Sequence, residues 1–324
     1  MTKLEKEVDN IKRLITQAQT IAVVGHHNPD GDSIGCCIAM AEWLESKGKT
    51  VSIFADGEIP DKFFYMPKAQ EFNLHADAEH FDLLIVVDLS DSERLGACRD
   101  LPGKSDKIIV IDHHVKPSFK CDVMVDMPEY ASTGEIIYSL FEMLKVKITM
   151  EIATALYTSI ACDTGCFLFS NTTAFTHQVV AALMKKQKID IESINFKNFR
   201  VYDRHNIPVI TYVLKHMKFE FGGKLAISVL PYKAVKKWNL DYESRHGLFK
   251  YATDGKGVIC SIFITELSKG EFNVSLRSLG KIDVAKIAQK INGGGHKNAS
   301  GATFVGPQKQ LLKILLAEFA KVIE

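Results

Sequence analysis

The residues of this chain best suited to do chemistry are acids and imidazoles set at the ends of apolar runs. Val110–His114 reads Val-Ile-Asp-His-His, so a hydrophobic stretch leads directly into a carboxylate and two histidines. Val86-Val87-Asp88 ends a second apolar run on an acid. A third segment, Gly25-His26-His27-Asn28-Pro29-Asp30-Gly31-Asp32, packs His26, Asp30 and Asp32 into seven residues. Carboxylates crowded this way repel one another unless they are solvated or hold cations. A solvated acidic turn would account for Asp30-Gly31-Asp32 alone. An acid at the end of three separate segments, two of them with histidine, favours a cation-binding centre.

A mixed imidazole and carboxylate set without thiolates suits Mn²⁺ best, then Mg²⁺, with Co²⁺ and Zn²⁺ as substitutes. Two such ions about 3.5–4 Å apart would hold a bridging hydroxide and clamp a phosphoryl group for in-line attack. One carboxylate must then serve both ions, and Asp88, alone at the end of its run, is the natural choice. Adjacent residues at a strand end point in different directions. His114 is therefore placed to face a substrate, beside a metal-facing His113, which makes Asp88 and His114 the catalytic candidates. For His27 a supporting or an exposed role is equally open.

These residues need a scaffold that brings separated segments to one place. Ile21–Val24, Leu83–Val87 and Ile108–Ile111 are continuously apolar, the signature of parallel strands covered on both faces. Ligands of open α/β sheets bind beyond the carboxyl ends of such strands. Helices are expected over Lys3–Ala18, from Asp32 or Ser33 as cap to about Lys47, from the capping box Ser132-Thr133-Gly134-Glu135 to about Val146, and over Thr149–Ala161, the last delivering Asp163. The fold class is α/β. A larger, mostly parallel sheet with helices on both faces occupies 1–185, a helical linker 186–218, and a smaller α/β domain 219–324.

In that smaller domain Gly293-Gly294-Gly295 lets backbone N–H groups approach an anion, and His296 follows directly. Arg277-Ser278 ends a predicted strand, and the planar fork of arginine matches phosphate oxygens. A glycine run alone is equally a flexible turn; the neighbouring basic residues favour an anion site.

Composition sets the outer bounds. At 324 residues the chain exceeds what one core usually holds, and a formal charge of +1 argues against coating long nucleic acid. The seven cysteines include no Cys-x-x-Cys pair and suggest buried thiols rather than disulfides, with Cys162 and Cys166 as a weaker metal-pair alternative. The mixed-charge N-terminus is no signal peptide, and no apolar run reaches the ~18 residues of a spanning helix. A cytoplasmic protein without membrane association is expected, and a homodimer is left open.

Taken in order, these motifs resemble the DHH phosphoesterase superfamily over nearly the whole chain. Gly25–Asp32 resembles its first motif, Val86–Asp88 the second and Asp112-His113-His114 the eponymous triplet, while Asp163 stands where the fourth motif acid is expected. Ser275–Ser278 and Gly293–Gly301 resemble the DHH-associated nucleotide-binding domain, with Ser300 where alanine is commoner. The resemblance implies that His26, Asp30 and Asp88 hold one cation, and that Asp32, Asp88, His113 and Asp163 hold the other. It also implies that Arg277, Ser278 and His296 grip the substrate across a cleft between the domains. The size and domain pair are similar to the nanoRNase/pAp phosphatases, which degrade very short RNAs and dephosphorylate 3′-phosphoadenosine 5′-phosphate (pAp). The implied partner is a nucleotide or short oligoribonucleotide such as pApA. A cyclic di-AMP phosphodiesterase, a family II inorganic pyrophosphatase and a non-catalytic RNA- or nucleotide-binding module are the alternatives, in that order.

Overall fold

In a computed structural model of the chain, residues 2–323 are described apart from 75–79, 90, 115–118, 202–203, 241–247 and 249, and apart from the side chains of Lys250 and His296. The chain divides into two compact units, Met1–Val201 and Tyr202–Glu324. The segment 186–218, expected as a helical linker, is shared between them: its residues to Val201 belong to the first unit, and the helix Ile207–His216 to the second.

The first unit is built on five parallel strands, β1 (Thr20–Val24), β2 (Thr50–Phe54), β3 (Phe81–Val87), β4 (Ser105–Asp112) and β5 (Val123–Asp126), in the order β2-β1-β3-β4-β5. Their apolar character is continuous because successive side chains enter different cores. Ile21, Val23, Leu83, Ile85, Val87, Ile109 and Ile111 face one cluster, while Ala22, Val24, Leu84, Val86 and Val110 face the other. The first cluster is covered by α1 (Lys3–Gln17), α2 (Gly31–Ser46), α3 (Thr133–Met143), α4 (Met150–Asp163) and α5 (Ala174–Lys186). The second is closed by the short 3₁₀ helices Ser92–Cys98 and Leu101–Lys104.

Strand order and register together make the site. The chain passes outward from β1 to β2 and returns to the other side of β1 as β3, so a topological switch point lies between β1 and β3. Val24 is level with Val86, and Val86 with Val110, so the three acid-bearing segments leave the sheet at the same height. Helix α2 packs closely on α4 through Gly35, where a Cβ would stand 2.4 Å from the Ala155 carbonyl oxygen.

The second unit holds a mixed sheet of β6 (Lys218–Glu220), β7 (Leu225–Leu230), β8 (Cys260–Ser268), β9 (Glu271–Ser278), β10 (Gly294–His296) and β11 (Ala299–Val305), in the order β10-β11-β9-β8-β7-β6. Only β7 and β8 pair in parallel. One face packs on the helices Val284–Ala288 and Gln308–Phe319, the other on Ile207–His216. Among the described residues no helix is long and apolar enough to cross a membrane.

Candidate metal centre and active site

Each acid reaches the site for a local reason. The sequence expectation that Asp32 or Ser33 caps α2 is corrected: Asp30 is the cap, its Oδ1 accepting from the N–H of Asp32 (3.0 Å) and of Ser33 (3.1 Å). Capping satisfies the free N–H groups of the first turn, and it leaves the Asp32 carboxylate pointing inward. There Asp32, wholly buried, accepts from the Thr133 N–H (2.9 Å) and Gly134 N–H (3.2 Å) at the start of α3, and from the hydroxyl of Ser159 on α4 (2.5 Å). The N-terminus of α3 thus supplies donors and the positive end of its dipole to a buried anion. Gly134 is required at that contact, because a Cβ there would stand 1.9 Å from Ser159 Oγ.

Asp88 follows β3 in a left-handed conformation (φ 58°), sparsely populated for any residue but glycine. Its N–H still donates to the Ile111 carbonyl at 3.0 Å, so the strand pairing continues while the buried side chain turns into the site. The left-handed turn aims the carboxylate between two histidines. Asp88 Oδ2 lies 3.4 Å from His26 Nε2, and Oδ1 lies 3.6 Å from His113 Nε2.

Both histidines present the same nitrogen. Nδ1 of His26 donates to the His27 carbonyl (2.8 Å) and Nδ1 of His113 to the Tyr130 carbonyl (3.3 Å). A carbonyl can only accept, so Nδ1 carries a proton and Nε2 is the nitrogen turned toward the acids. His26 Nε2 also stands 3.7 Å from Asp30 Oδ1; His113 Nε2 stands 3.2 Å from Asp163 Oδ2 and 3.8 Å from Asp32 Oδ2. Among the described residues His26–Asp30–Asp88 and Asp32–His113–Asp163 are two groups whose ligand atoms lie within 4.8 Å of one another. Asp88 lies between them. Cys162 and Cys166 belong to neither.

The electrostatics match such donors. Burial, and then the charges of Asp88 and Asp30, push the Asp32 carboxyl well above the carboxylate range. Asp163 is raised the same way by burial, Asp32 and Asp88. Burial works to lower His26, but its hydrogen bonds to Asp30 and Asp88 outweigh it and push the imidazole up to about 10. Without a cation this cluster of acids is strained by mutual repulsion; divalent cations would relieve it. The donors are carboxylate and imidazole throughout, the set that fits Mn²⁺ or Mg²⁺.

His114 sits beside these groups, drawn together with Asp88, Asp112 and His113. Its Nδ1 pairs with Asp112 Oδ1 at 2.7 Å and lies 3.7 Å from Asp88 Oδ1. The same Asp112 oxygen accepts from the N–H groups of His113 (2.8 Å) and His114 (3.2 Å). Burial lowers His114, yet the Asp112 hydrogen bond and the charges of Asp88 and Asp112 prevail and raise it. His27 donates its N–H to the Arg94 carbonyl at 2.8 Å and packs its ring nitrogen against the same oxygen, tying the first loop to the segment after β3.

With that geometry in place, likeness to known proteins is informative. Residues 20–160 match the DHH family, N-terminal domain, and residues 236–324 match the DHHA1 domain. The bifunctional oligoribonuclease and PAP phosphatase NrnA of Thermus thermophilus is 32% identical over 88% of this chain and 84% of its own length. The chain belongs to the DHH phosphoesterase family. It is a hydrolase acting on phosphoric ester bonds. The crystal structure of an exopolyphosphatase-related protein from Bacteroides fragilis superposes with a TM-score of 0.90 at 26% identity, covering 98% of this chain and 96% of the other. The RecJ structure in complex with Mn²⁺ from Thermus thermophilus shares the fold, with a TM-score of 0.54 at 14% identity over 99% of this chain and 55% of RecJ.

In the DHHA1 part, β10, β11 and β9 bring Gly294–His296 alongside Arg277, since Ala299 pairs with both His296 and Arg277. The guanidinium of Arg277 donates to the carbonyls of Leu276 (3.0 Å) and Ser300 (3.4 Å). The Ser278 hydroxyl is committed to its own turn, donating to Ile282 O at 2.7 Å and accepting from Asn298 at 3.0 Å. Gly293 and Gly295 are needed for close packing against β11: Cβ atoms there would stand 2.3 Å from Gly301 O and 2.7 Å from Ala299 O. Gly294 faces open space. The side chain of His296 lies outside the described residues.

Asp112 as the partner of His114, and Thr133 and Ser159 as holders of the acids, were missed by sequence reasoning. Thr133 Oγ1 also donates to Asp88 Oδ1 at 3.2 Å. Only the Ser132–Glu135 pattern gave any signal, by placing a helix N-terminus at Ser132; the expected capping box is half formed, since Glu135 accepts from the Ala131 N–H instead of the Ser132 N–H.

Proposed function

We propose that this DHH protein is a two-cation phosphoesterase for short nucleotide substrates, converting pAp to AMP and dinucleotides or very short RNAs to mononucleotides. The observation that carries the reading is the sharing of Asp88 between two groups whose histidines both turn Nε2 inward. His26, Asp30 and Asp88 would hold one cation, and Asp32, Asp88, His113 and Asp163 the other, with Mn²⁺ the best fit to the donors. Mn²⁺ is also the ion named for the RecJ complex of the same fold. Bound divalent cations supply a nucleophilic water near neutral pH and offset charge on the phosphoryl oxygens. The chain's own part is placement. Asp112 orients His114, which donates a hydrogen bond or proton to the phosphoryl or leaving oxygen. In the DHHA1 unit Arg277, the glycines 293–295 and His296 grip the nucleotide or its phosphate, with Ser278 shaping the turn beside them. The substrate class follows the activity named for the Thermus NrnA relative.

The test is a turnover panel with and without Mn²⁺ on pAp, pApA, cyclic di-AMP, a short RNA series and pyrophosphate. Mn²⁺-dependent release of mononucleotides from pAp and the short linear substrates, abolished by EDTA, is the expected result. Preference for cyclic di-AMP or pyrophosphate would replace the substrate assignment. Nucleotide binding without turnover under any metal would sink the enzyme reading.

A further inference from the structure

The six residues Tyr130–Glu135, which run from the end of the β5–α3 connection into the first turn of α3, touch His113, Asp32 and Asp88 from three other elements. The Tyr130 carbonyl accepts from His113 Nδ1 (3.3 Å), and the N–H groups of Thr133 and Gly134 hold Asp32 at 2.9 and 3.2 Å. Between these contacts lies the backbone of Ala131, and it is gripped at both ends. Its N–H donates to Glu135 Oε2 (3.0 Å), and its carbonyl accepts from Asn171 Nδ2 (3.1 Å). The same Asn171 amide nitrogen donates to the Asp163 carbonyl at 3.1 Å. Both acceptors are carbonyl oxygens, so only the NH₂ end of Asn171 can serve them.

We propose that Asn171 and Glu135 are positioning residues that set the spacing of the Asp32–His113–Asp163 group by clamping the Ala131 backbone from opposite ends. Asn171 ties that backbone to Asp163; Glu135 locks the neighbouring Tyr130 carbonyl that fixes the His113 ring. Neither side chain is among the ligands, and the inference rests on the two-cation reading above. Ligand distances must hold to about 0.2 Å for a metal site to work. A turn of the Tyr130–Ala131 peptide plane would take the Tyr130 carbonyl off His113 Nδ1 and release the ring, which stands 3.2 Å from Asp163. Among the described residues neither Asn171 nor Glu135 hydrogen-bonds to His26, Asp30 or Asp88; the segment meets that group through Thr133 Oγ1 on Asp88. Asn171 is exposed, so a role in stability alone is a poor explanation for its two bonds. Glu135 is fully buried with its carboxyl raised by that burial, so glutamine can replace it with the acceptor oxygen kept.

The test is calorimetric titration of the full-length protein with Mn²⁺ alone, backed by metal-free thermal melts. In wild type two classes of Mn²⁺ site are expected. In Asn171→Ala one class weakens about 10–100-fold, the usual effect of losing an outer-shell partner. The other class and the metal-free Tm stay at wild-type values, and excess Mn²⁺ restores turnover. Glu135→Ala should weaken the same class, and Glu135→Gln should restore it. Unchanged affinities in Asn171→Ala would overturn the proposal. So would equal weakening of both classes with a lowered metal-free Tm, which is the signature of a loop staple. A wild-type protein that binds no pair of Mn²⁺ ions would instead remove the two-cation reading, and the clamp with it.

Discussion

Replacing Asp88 with asparagine keeps the shape of the side chain and removes one charge at the point where both ligand groups meet. Asp88 Oδ2 stands 3.4 Å from His26 Nε2; its Oδ1 stands 3.6 Å from His113 Nε2 and accepts from Thr133 Oγ1 at 3.2 Å. Without metal, Asp88→Asn relieves the repulsion that raises Asp32 and Asp163 but gives up the charge that pairs with His26, so the two effects offset and the variant should melt close to wild type. With metal the two separate. At Mn²⁺ about 100-fold above Kd, mass action stabilises wild type by about 2.7 kcal/mol. For a unit of about 200 residues that is a Tm rise of roughly 5–10 °C. On the proposed two-cation reading the variant would offer a neutral amide oxygen in place of the shared carboxylate and should keep less than half of the rise. Loss of about 4 kcal/mol of transition-state stabilisation corresponds to ~10³-fold in turnover. Differential scanning fluorimetry with and without Mn²⁺, beside turnover of a short nucleotide, reads both effects. A variant that melts several degrees lower without metal, yet gains the full Mn²⁺ increment, would refute the shared-ligand reasoning.

Other perturbations bear on the same architecture. Asp32, Asp163 and His26 all have folded-state pKa values above those of the unfolded chain, so each contributes stability that is complete at low pH and lost as pH rises. Metal-free stability should therefore fall from about pH 4, the unfolded carboxylate range, toward about pH 10, where His26 deprotonates, while the Mn²⁺-induced gain grows over the same interval; urea melts across pH check it. His114→Ala should lower turnover about 10²–10⁴-fold, the range for a general acid, with Mn²⁺ affinity left near wild type by titration. Gly35→Ala places a Cβ 2.4 Å from the Ala155 carbonyl and should force α2 off α4, costing about 1–3 kcal/mol in denaturant unfolding. Arg277→Gln should raise KM for nucleotides more than it lowers kcat if the guanidinium binds ground and transition states alike.

The local parts of this site were legible because they obey short-range rules. Continuous β-branched and apolar runs read as buried parallel strands, and β1, β3 and β4 lie where those runs do. An acid at the end of such a run emerges at the carboxyl edge of a sheet whatever the rest of the chain does. Asp163, at the end of the helix α4, was placed among the ligands by the family resemblance rather than by this strand-end rule. The cap of α2 was misread because Asp30, Asp32 and Ser33 all suit the position, and only the backbone angles at Asp30 choose among them.

The sequence alone determined which residue types could hold cations and at which strand ends they stand, since both follow from side-chain chemistry and the two-residue repeat of a strand. Tertiary structure decided which of them meet. The strand order puts Asp88 between His26 and His113, and Asp32 is held by amides 101 and 102 residues away. That pairing has no trace in local pattern. It depends on the close approach of α2, α3 and α4, which Gly35 and Gly134 permit by having no side chain to keep the helices apart.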